Sequence, residues 1–230
     1  MKSHFSAART CARSLVVVLV LLVTACASSG RDFERPDPNS LVLSSTTKAE
    51  SIARFGPPAR QSSTSSANGS GATESGQDRL PPGLRRSEVP GVVERIGYTY
   101  SHASLAGGGA IGRVRSLNLS FWNDRLVGYT FLSSFENDGT NFDENKVSSF
   151  VRGQTTRGQV ESTLGHPGGE SIYPLVAKQG TRALTYEYVI VGPKRGQATL
   201  KMVSLLFDSS DRLLETFVFS EIRGGSRIGS

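Results

Sequence analysis

Two copies of one short pattern occur in the chain, and this internal repeat constrains the fold more than any other feature. TTRGQVESTLGHP runs from Thr155 to Pro167, and TTKAESIARFGPP runs from Thr46 to Pro58, a constant 109 positions earlier. A pattern that recurs at a fixed separation is the signature of a duplicated structural unit. The repeat therefore predicts one unit used twice.

Each copy predicts a helix of two to three turns. A threonine with a glutamate or glutamine three residues later fits a capping box, which starts a helix. A glycine then allows a left-handed helix end, and a proline two residues later prevents continuation. The cap pairs are Thr47 with Glu50 and Thr156 with Gln159, and the glycine and proline pairs are Gly56 with Pro58 and Gly165 with Pro167.

The similarity continues into strand-rich segments after each helix. IGYTY from Ile96 matches LTYEY from Leu184, and SLNLSFWNDRLVGYTFLSS from Ser116 matches MVSLLFDSSDRLLETFVFSE from Met202 with a gap of one residue. Their β-branched and aromatic residues, separated by turn signals, predict antiparallel strands joined by hairpins. Each unit is thus expected to hold a three-stranded sheet with one face covered.

A short amphipathic segment precedes each capped helix and predicts a first helix in each unit. These segments are NSLVLSS from Asn39 and DENKVSSFVRG from Asp143. The predicted fold class is α+β, with two tandem units that each contain two short helices followed by a three-stranded antiparallel sheet. The two units are expected either to share a sheet or to pack their sheets together.

The beginning of the chain predicts export and lipid attachment. A basic start is followed by an apolar run from Leu15 to Val23, which is shorter than the roughly 20 residues that span a bilayer and is typical of a secretory signal. Val23-Thr24-Ala25-Cys26 resembles a bacterial lipobox, so Cys26 is the predicted lipidation site and its acyl chains would anchor the protein to a membrane. An ordinary cleaved signal with an incidental cysteine is the alternative.

Localisation at the outer membrane, on its periplasmic face, follows from the lipoprotein sorting rule, because Ala27 rather than an aspartate follows the cysteine. Removal of residues 1–25 lowers the net charge from +6 to +3. A mildly basic surface gives no reason to expect nucleic acid as a partner. Cys11 leaves with the signal and Cys26 carries lipid, so no disulfide is expected.

Composition divides the chain into further segments. Small, polar and proline-containing residues behind Cys26 predict a flexible tether. The stretch from Arg60 to Gly91 is dominated by Ser, Gly, Thr and Pro, which predicts a disordered insertion, either a solvated loop or a segment that binds a partner. The predicted boundaries are 1–25 for the signal peptide, 26–38 for the tether, 39–135 for the first repeat with its insertion at 60–91, 143–222 for the second repeat and 223–230 for a flexible tail.

Together these motifs resemble the SmpA/OmlA, or BamE-like, outer-membrane lipoproteins. VSSFVRGQTTRGQVESTLGHP, LTYEYVIV, LLFDSSDRLLETFVF and the lipobox at Cys26 carry the resemblance. The first repeat departs from the pattern, since Ser44 stands where Gly153 would. Gly153, Thr155, Val160, Leu164, Gly165 and Pro167 of the second repeat match the positions of the family.

The resemblance implies a non-catalytic role in outer-membrane assembly or maintenance, beside the machinery that inserts β-barrel proteins. The tandem layout is also reminiscent of β-lactamase inhibitory proteins, which grip an enzyme with a concave sheet. The alternative function is therefore a binder or inhibitor of a periplasmic hydrolase.

Enzyme motifs are missing from the sequence. The histidines of the mature chain are His102 and His166, and neither HExxH nor GxSxG occurs. The sequence thus predicts no catalytic site, no metal site and no cofactor. AGGGAIG, from Ala106 to Gly112, predicts a flexible hairpin loop rather than a phosphate loop, because no helix follows it.

Three surface features have two readings each. Trp122 ends a strand, where it either packs in the core, as favoured, or anchors a partner. The basic cluster GPKRG and the pair Arg85-Arg86 are either solvated loops, as favoured, or contacts for lipid headgroups.

Overall fold

Antiparallel strands dominate the fold and belong to one sheet. The structure, a computed structural model, describes residues 28–65, 80–87, 91–106, 109–191 and 198–223. In these ranges no helix has the length and apolarity that crossing a membrane requires. The elements are β1 (Ser28–Ser29), α1 (Lys48–Phe55), β2 (Arg60–Ser65), β3 (Val92–Ala106), β4 (Gly109–Trp122), β5 (Arg125–Ser133), α2 (Arg157–Leu164), β6 (Gly169–Ile172), β7 (Arg182–Val191), β8 (Ala198–Phe207) and β9 (Leu213–Arg223).

The two capping boxes are confirmed. Thr47 Oγ1 accepts from the Glu50 amide while the Glu50 carboxylate accepts from the Thr47 amide, at 3.2 and 2.8 Å. Thr156 and Gln159 repeat this exchange in α2. Both helices therefore begin where the sequence predicted, for the predicted reason.

The helix ends differ from the expected left-handed form. Gly56 and Gly165 both have φ near +84° and ψ near −170°, a conformation essentially restricted to glycine. Tyr98 and Tyr186, on β3 and β7, donate their hydroxyls to the carbonyl oxygens of these glycines at 3.1 and 3.0 Å. The glycine turn thus ties each helix to its own sheet.

The predicted fold class, two BamE-like units of two helices and three strands, is wrong. Where a first helix was expected, residues 38–40 and 144–149 form only 3₁₀ turns. The hydroxyls of Ser148 and Ser149 donate to carbonyl oxygens three residues back, and such local bonds compete with a regular helix. Each α-helix is also followed by a strand that the prediction lacked, β2 in one unit and β6 in the other.

β6 joins the two units. The described strands follow the order β1-β3-β4-β5-β6-β7-β8-β9, with β2 also on β3. β2 pairs with β3 alone, whereas its counterpart β6 pairs with β7 of its own unit and with β5 of the other. Because β6 is only four residues long, β7 also approaches β5 and β4. The units therefore share one sheet.

Each α-helix lies on the same side of this sheet, over a core of its own. In the second unit, Val160 and Leu164 of α2 pack on apolar side chains from β7, β8 and β9. In the first, Ile52 and Phe55 of α1 pack in the equivalent way. The buried sheet residues are Ile96, Tyr98, Leu117, Leu119, Phe121, Leu126, Tyr129 and Phe131 in the first unit, and Leu184, Tyr186, Val203, Leu205, Phe207 and Leu213 in the second.

Part of the predicted disordered insertion is ordered. Residues 60–65 form β2, which pairs with residues 92–97 at the beginning of β3. Residues 80–87 pack against the second unit, where Leu84 is buried. A serine-rich composition did not prevent strand formation, because the edge of β3 supplies the backbone hydrogen bonds. Residues 66–79 and 88–90 lie outside the described residues, as do the predicted signal peptide and residues 224–230 of the predicted tail.

The predicted flexible tether is also packed where it is described. Phe33 makes edge contacts with the rings of Tyr98 and Phe131, at centroid distances of 6.4 and 6.2 Å. Asp32 pairs with Arg115 at 2.6 Å. An aromatic anchor and an ion pair outweigh the mobility that the composition suggested.

Substitution of Ser44 tests the turn position at which the first repeat has a serine and the second repeat has Gly153. Ser44 and Gly153 have φ of +63° and +75°, a region that disfavours residues with a Cβ atom. We expect Ser44→Gly to stabilise the fold by about 1 kcal/mol and Gly153→Ser to destabilise it by a similar amount. Urea unfolding of both variants measures this, and equal effects of the same sign would contradict it.

Substitution of Gly169 tests the junction between the units. A Cβ at Gly169 would lie 2.5 Å from the Tyr129 carbonyl oxygen of β5, so Gly169→Ala should cost about 1–3 kcal/mol of unfolding free energy. Gly158 in α2 is the control, because a Cβ there meets nothing within 4 Å and alanine favours a helix by up to about 1 kcal/mol. A Gly169→Ala variant as stable as the parent chain in urea would contradict the close approach of β5 and β6 at this glycine.

Candidate functional site

Among the described residues, only one end of the sheet face opposite the helices is covered. There, Leu84 and Val176 pack on Ala183 and Leu206. The cover comes from residues 80–87 of the first unit and from residues 173–177, which lead into β7. It ends at the row formed by Thr185, Ser204 and Phe217.

Direct contacts hold the cover in place. The Gly83 amide donates to the Glu215 carboxylate of β9 at 3.0 Å, and the Ser87 amide donates to the Pro174 carbonyl oxygen at 2.9 Å. A Cβ at Gly128 would lie 2.5 Å from a methyl carbon of Leu175, so glycine at this position lets the cover approach β5. The first unit is thereby fastened to the second on this face also.

Beyond the cover lies a group of side chains that we call the open face. Register places Glu187 of β7 beside Met202 of β8, and Met202 beside Phe219 of β9. Phe217 and Phe219 stack at a centroid distance of 6.4 Å. All of them are partly exposed. The open face consists of Thr185, Glu187, Met202, Phe217 and Phe219.

Glu187 is the electrostatic centre of the open face. Burial raises the pKa of its carboxyl above the ordinary value, because the charged form loses hydration among apolar neighbours. Within the described ranges its side chain has neither a hydrogen bond nor an ion pair, whereas Glu170 and Glu94 pair with Arg182 and Lys48. A cationic side chain brought to this carboxylate would supply an interaction that the described residues do not provide.

On the helix side, Arg35 closes the gap between the units. Its guanidinium donates to the carbonyl oxygens of Asp138 and Gly139 and to those of His166 and Pro167, at 2.9 to 3.2 Å. Burial lowers the pKa of Arg35. These four acceptors compensate for the lost hydration of the charge.

A cleft of about 680 Å³ opens next to this bridge, between residues 37–43 and the beginning of the second unit. Four of its charged side chains form ion pairs, Arg157 with Glu161 at 3.1 Å and Arg182 with Glu170 at 2.7 Å, and the fifth, Asp37, accepts from the Asn39 amide. Paired charges offer less to an incoming ion than an unpaired carboxylate. The open face is therefore the stronger candidate site.

The residues singled out from the sequence are not brought together. Cys26 lies outside the described residues. His102 is on β3, opposite Ser28 and Arg113, and His166 is exposed at the end of α2, in the other unit. No group of three or more potential metal ligands occurs in the part of the chain that the structure describes.

Trp122 is half-buried and belongs to none of the core clusters of the described residues. Its ring meets Tyr173 edge to face at a centroid distance of 5.9 Å. Its Nε1–H is buried and has no acceptor among the described residues. Arg86 donates to the Thr64 carbonyl oxygen, and Arg85 to that of Leu80. GPKRG lies outside the described residues.

Comparison with protein-family models, with curated proteins and with solved structures found no match for this chain. The resemblance to the SmpA/OmlA family stays a prediction.

Sequence reasoning missed both Glu187 and Arg35. Alternation along β7 assigns Glu187 to the face opposite Leu184 and Tyr186, which was read as solvated. The signal in the sequence was an acidic residue inside a mainly apolar strand, at a position where the first repeat has Thr99. Arg35 offered no signal in a segment read as a tether.

A variant of Glu187 tests the electrostatic state of the open face. A carboxyl with a raised pKa binds its proton more tightly when folded, so stability falls as the pH rises from the ordinary pKa through the folded one. We expect Glu187→Gln to be more stable than the parent chain at pH 7, with the gain fading in acid. Urea unfolding across this pH range measures it, and a gain independent of pH would contradict it.

Proposed function

We propose that this chain is an outer-membrane lipoprotein, acylated at Cys26 on the periplasmic face, that acts as a non-catalytic scaffold for a protein of the cell envelope. The lipobox and the apolar run before it support the anchor. The open face supports the binding role, because it combines stacked aromatic side chains with a carboxylate that has no partner among the described residues.

The composition of the open face favours a folded protein as the partner. Phe217, Phe219 and Met202 provide apolar area of the kind enriched at interfaces. Hot spots are typically aromatic residues near the centre of a contact. Glu187 selects within this class, because a basic side chain satisfies it and an acidic one is repelled.

A partner would occupy one side of the molecule only. The helices cover one face of the sheet. Residues 80–87 and 173–177 cover one end of the opposite face, beside the beginning of β7. Within the described ranges, most large apolar side chains outside the open face are buried in the cores. The exposed large apolar side chains are scattered: Val42, Val92, Val151, Ile190 and Val218.

Binding or inhibition of a periplasmic hydrolase is the second candidate. The observation that favours it is the shared sheet, because the pairing of β5 with β6 makes one continuous face from two repeats. A single extended face suits the surface of one folded enzyme better than two separate small sheets. Both candidates use the open face of the second unit, and a hydrolase would in addition contact the first unit across the pairing of β5 with β6.

Variants of adjacent residues on β9 test the proposed site. Phe219→Lys removes an aromatic contact and places a cation near Glu187, whereas Val218→Lys adds the same charge on the opposite face, where Val218 is 53% exposed. We expect Phe219→Lys to lower the recovery of the partner by about tenfold or more and Val218→Lys to leave it unchanged. Affinity capture from cross-linked cells, with the proteins identified by mass spectrometry, measures this.

The captured proteins separate the candidates. Barrel-assembly components would support the scaffold, and a single soluble hydrolase that loses activity in the complex would support the inhibitor. Recovery of one and the same set of proteins with the parent chain and both variants would show that the open face is not the binding site.

A further inference from the structure

The described chain begins beside the outer strand of the first unit. Ser28 and Ser29 form β1, which pairs with His102 and Ser101 of β3. Cys26 precedes Ser28 by two residues, and two residues span at most about 7 Å. A lipid on Cys26 is therefore confined to the neighbourhood of His102.

The residues that follow β1, from Gly30 to Phe33, lie closely against the first unit. A Cβ at Gly30 would lie 2.1 Å from the Thr99 carbonyl oxygen, and Gly30 has φ of +82°, so only glycine allows the chain to lie this close to β3. Asp32 is paired with Arg115, and Phe33 lies between the rings of Tyr98 and Phe131. Residues 28–33 are thus held against the first unit.

The hairpin between β3 and β4 extends past this point. Pairing continues from His102 with Arg113 to Ala106 with Gly109. The sequence between His102 and Arg113, ASLAGGGAIG from Ala103 to Gly112, carries no charge. Arg113, at its base, is exposed. An uncharged extension can enter a membrane interface without burying a charge, and a basic residue at its base lies where anionic headgroups attract it.

The last pair of β7 with β8, Val191 with Ala198, lies at the same end of the sheet. β7 ends at Val191 and β8 begins at Ala198, and the sequence between them contains Lys194 and Arg195. Glu136 is exposed at this end also, on the side of the helices. Anionic headgroups attract basic residues near the bilayer surface.

We propose that the end of the sheet formed by the β3–β4 hairpin rests on the lipid bilayer beside the acylated Cys26. The inference rests on the proposed lipid anchor and adds an orientation to it. The strands then rise from the membrane, and the cover built by residues 80–87 and 173–177 lies at the far end. The open face is turned sideways, toward a partner in or near the same membrane.

A labelled hairpin tests this orientation. Once the signal is removed and Cys26 is acylated, an introduced cysteine is the only free thiol, so Ala110→Cys can carry an environment-sensitive fluorophore at the hairpin. Gln179→Cys, in the exposed loop before β7 at the opposite end of the sheet, is the matched control. Both acylated proteins are placed on vesicles of phosphatidylethanolamine and phosphatidylglycerol that contain a headgroup-level quencher lipid.

We expect several-fold stronger quenching at Ala110 than at Gln179. Equal quenching at the two sites would overturn the orientation. Ser104→Cys repeats the measurement on the other arm of the hairpin, and far-ultraviolet circular dichroism confirms that each labelled protein is folded.

Flotation separates this inference from the anchor itself. The parent chain should float with the vesicles and Cys26→Ser should not. If the parent chain stays behind, the lipid anchor is wrong and the orientation falls with it. If it floats while the hairpin label is quenched no more than the control, the anchor stands and only the orientation is wrong.

Discussion

Backbone pairing between β5 and β6 is the interaction on which the rest of the structure depends. It involves only three residue pairs, and it forms because Gly169 lets the two backbones approach without a Cβ atom between them. The edge of a sheet presents unpaired backbone groups to solvent. Joined edge to edge, the two repeats protect each other's edges and present one continuous face on each side.

Further contacts on each side of the sheet depend on that junction. On the helix side, Arg35 connects the end of β5 to the end of α2. On the other side, Leu84 from the first unit is buried against the second. Each contact uses a segment that composition marked as unstructured, residues 26–38 or 60–91. A segment without a core of its own becomes ordered when neighbouring elements supply its partners.

Local signals made the capped helices predictable, because Thr47, Thr156 and the glycines that follow act on their own backbone. The hairpin strands were predictable from their β-branched and aromatic content. β2 and β6 were not, because RQSSTS and GESI have little intrinsic preference for strands and owe their conformation to the edges of β3, β5 and β7. Glu187 could be assigned to a face of the sheet from alternation, but its burial depends on side chains that β8 and β9 bring beside it.

The glycines at the junction have no counterparts in the first repeat. Gly168 and Gly169 correspond to Ala59 and Arg60. The first repeat therefore carries side chains at the two positions where the second repeat has glycines. The contact that fuses the repeats is of the head-to-tail kind, which generates open filaments when it can recur between molecules. A charged arginine on an edge strand is one way in which proteins prevent such growth. Duplication of the unit therefore leads to a finite object: the second repeat can accept a neighbour on its first strand, and the first repeat cannot.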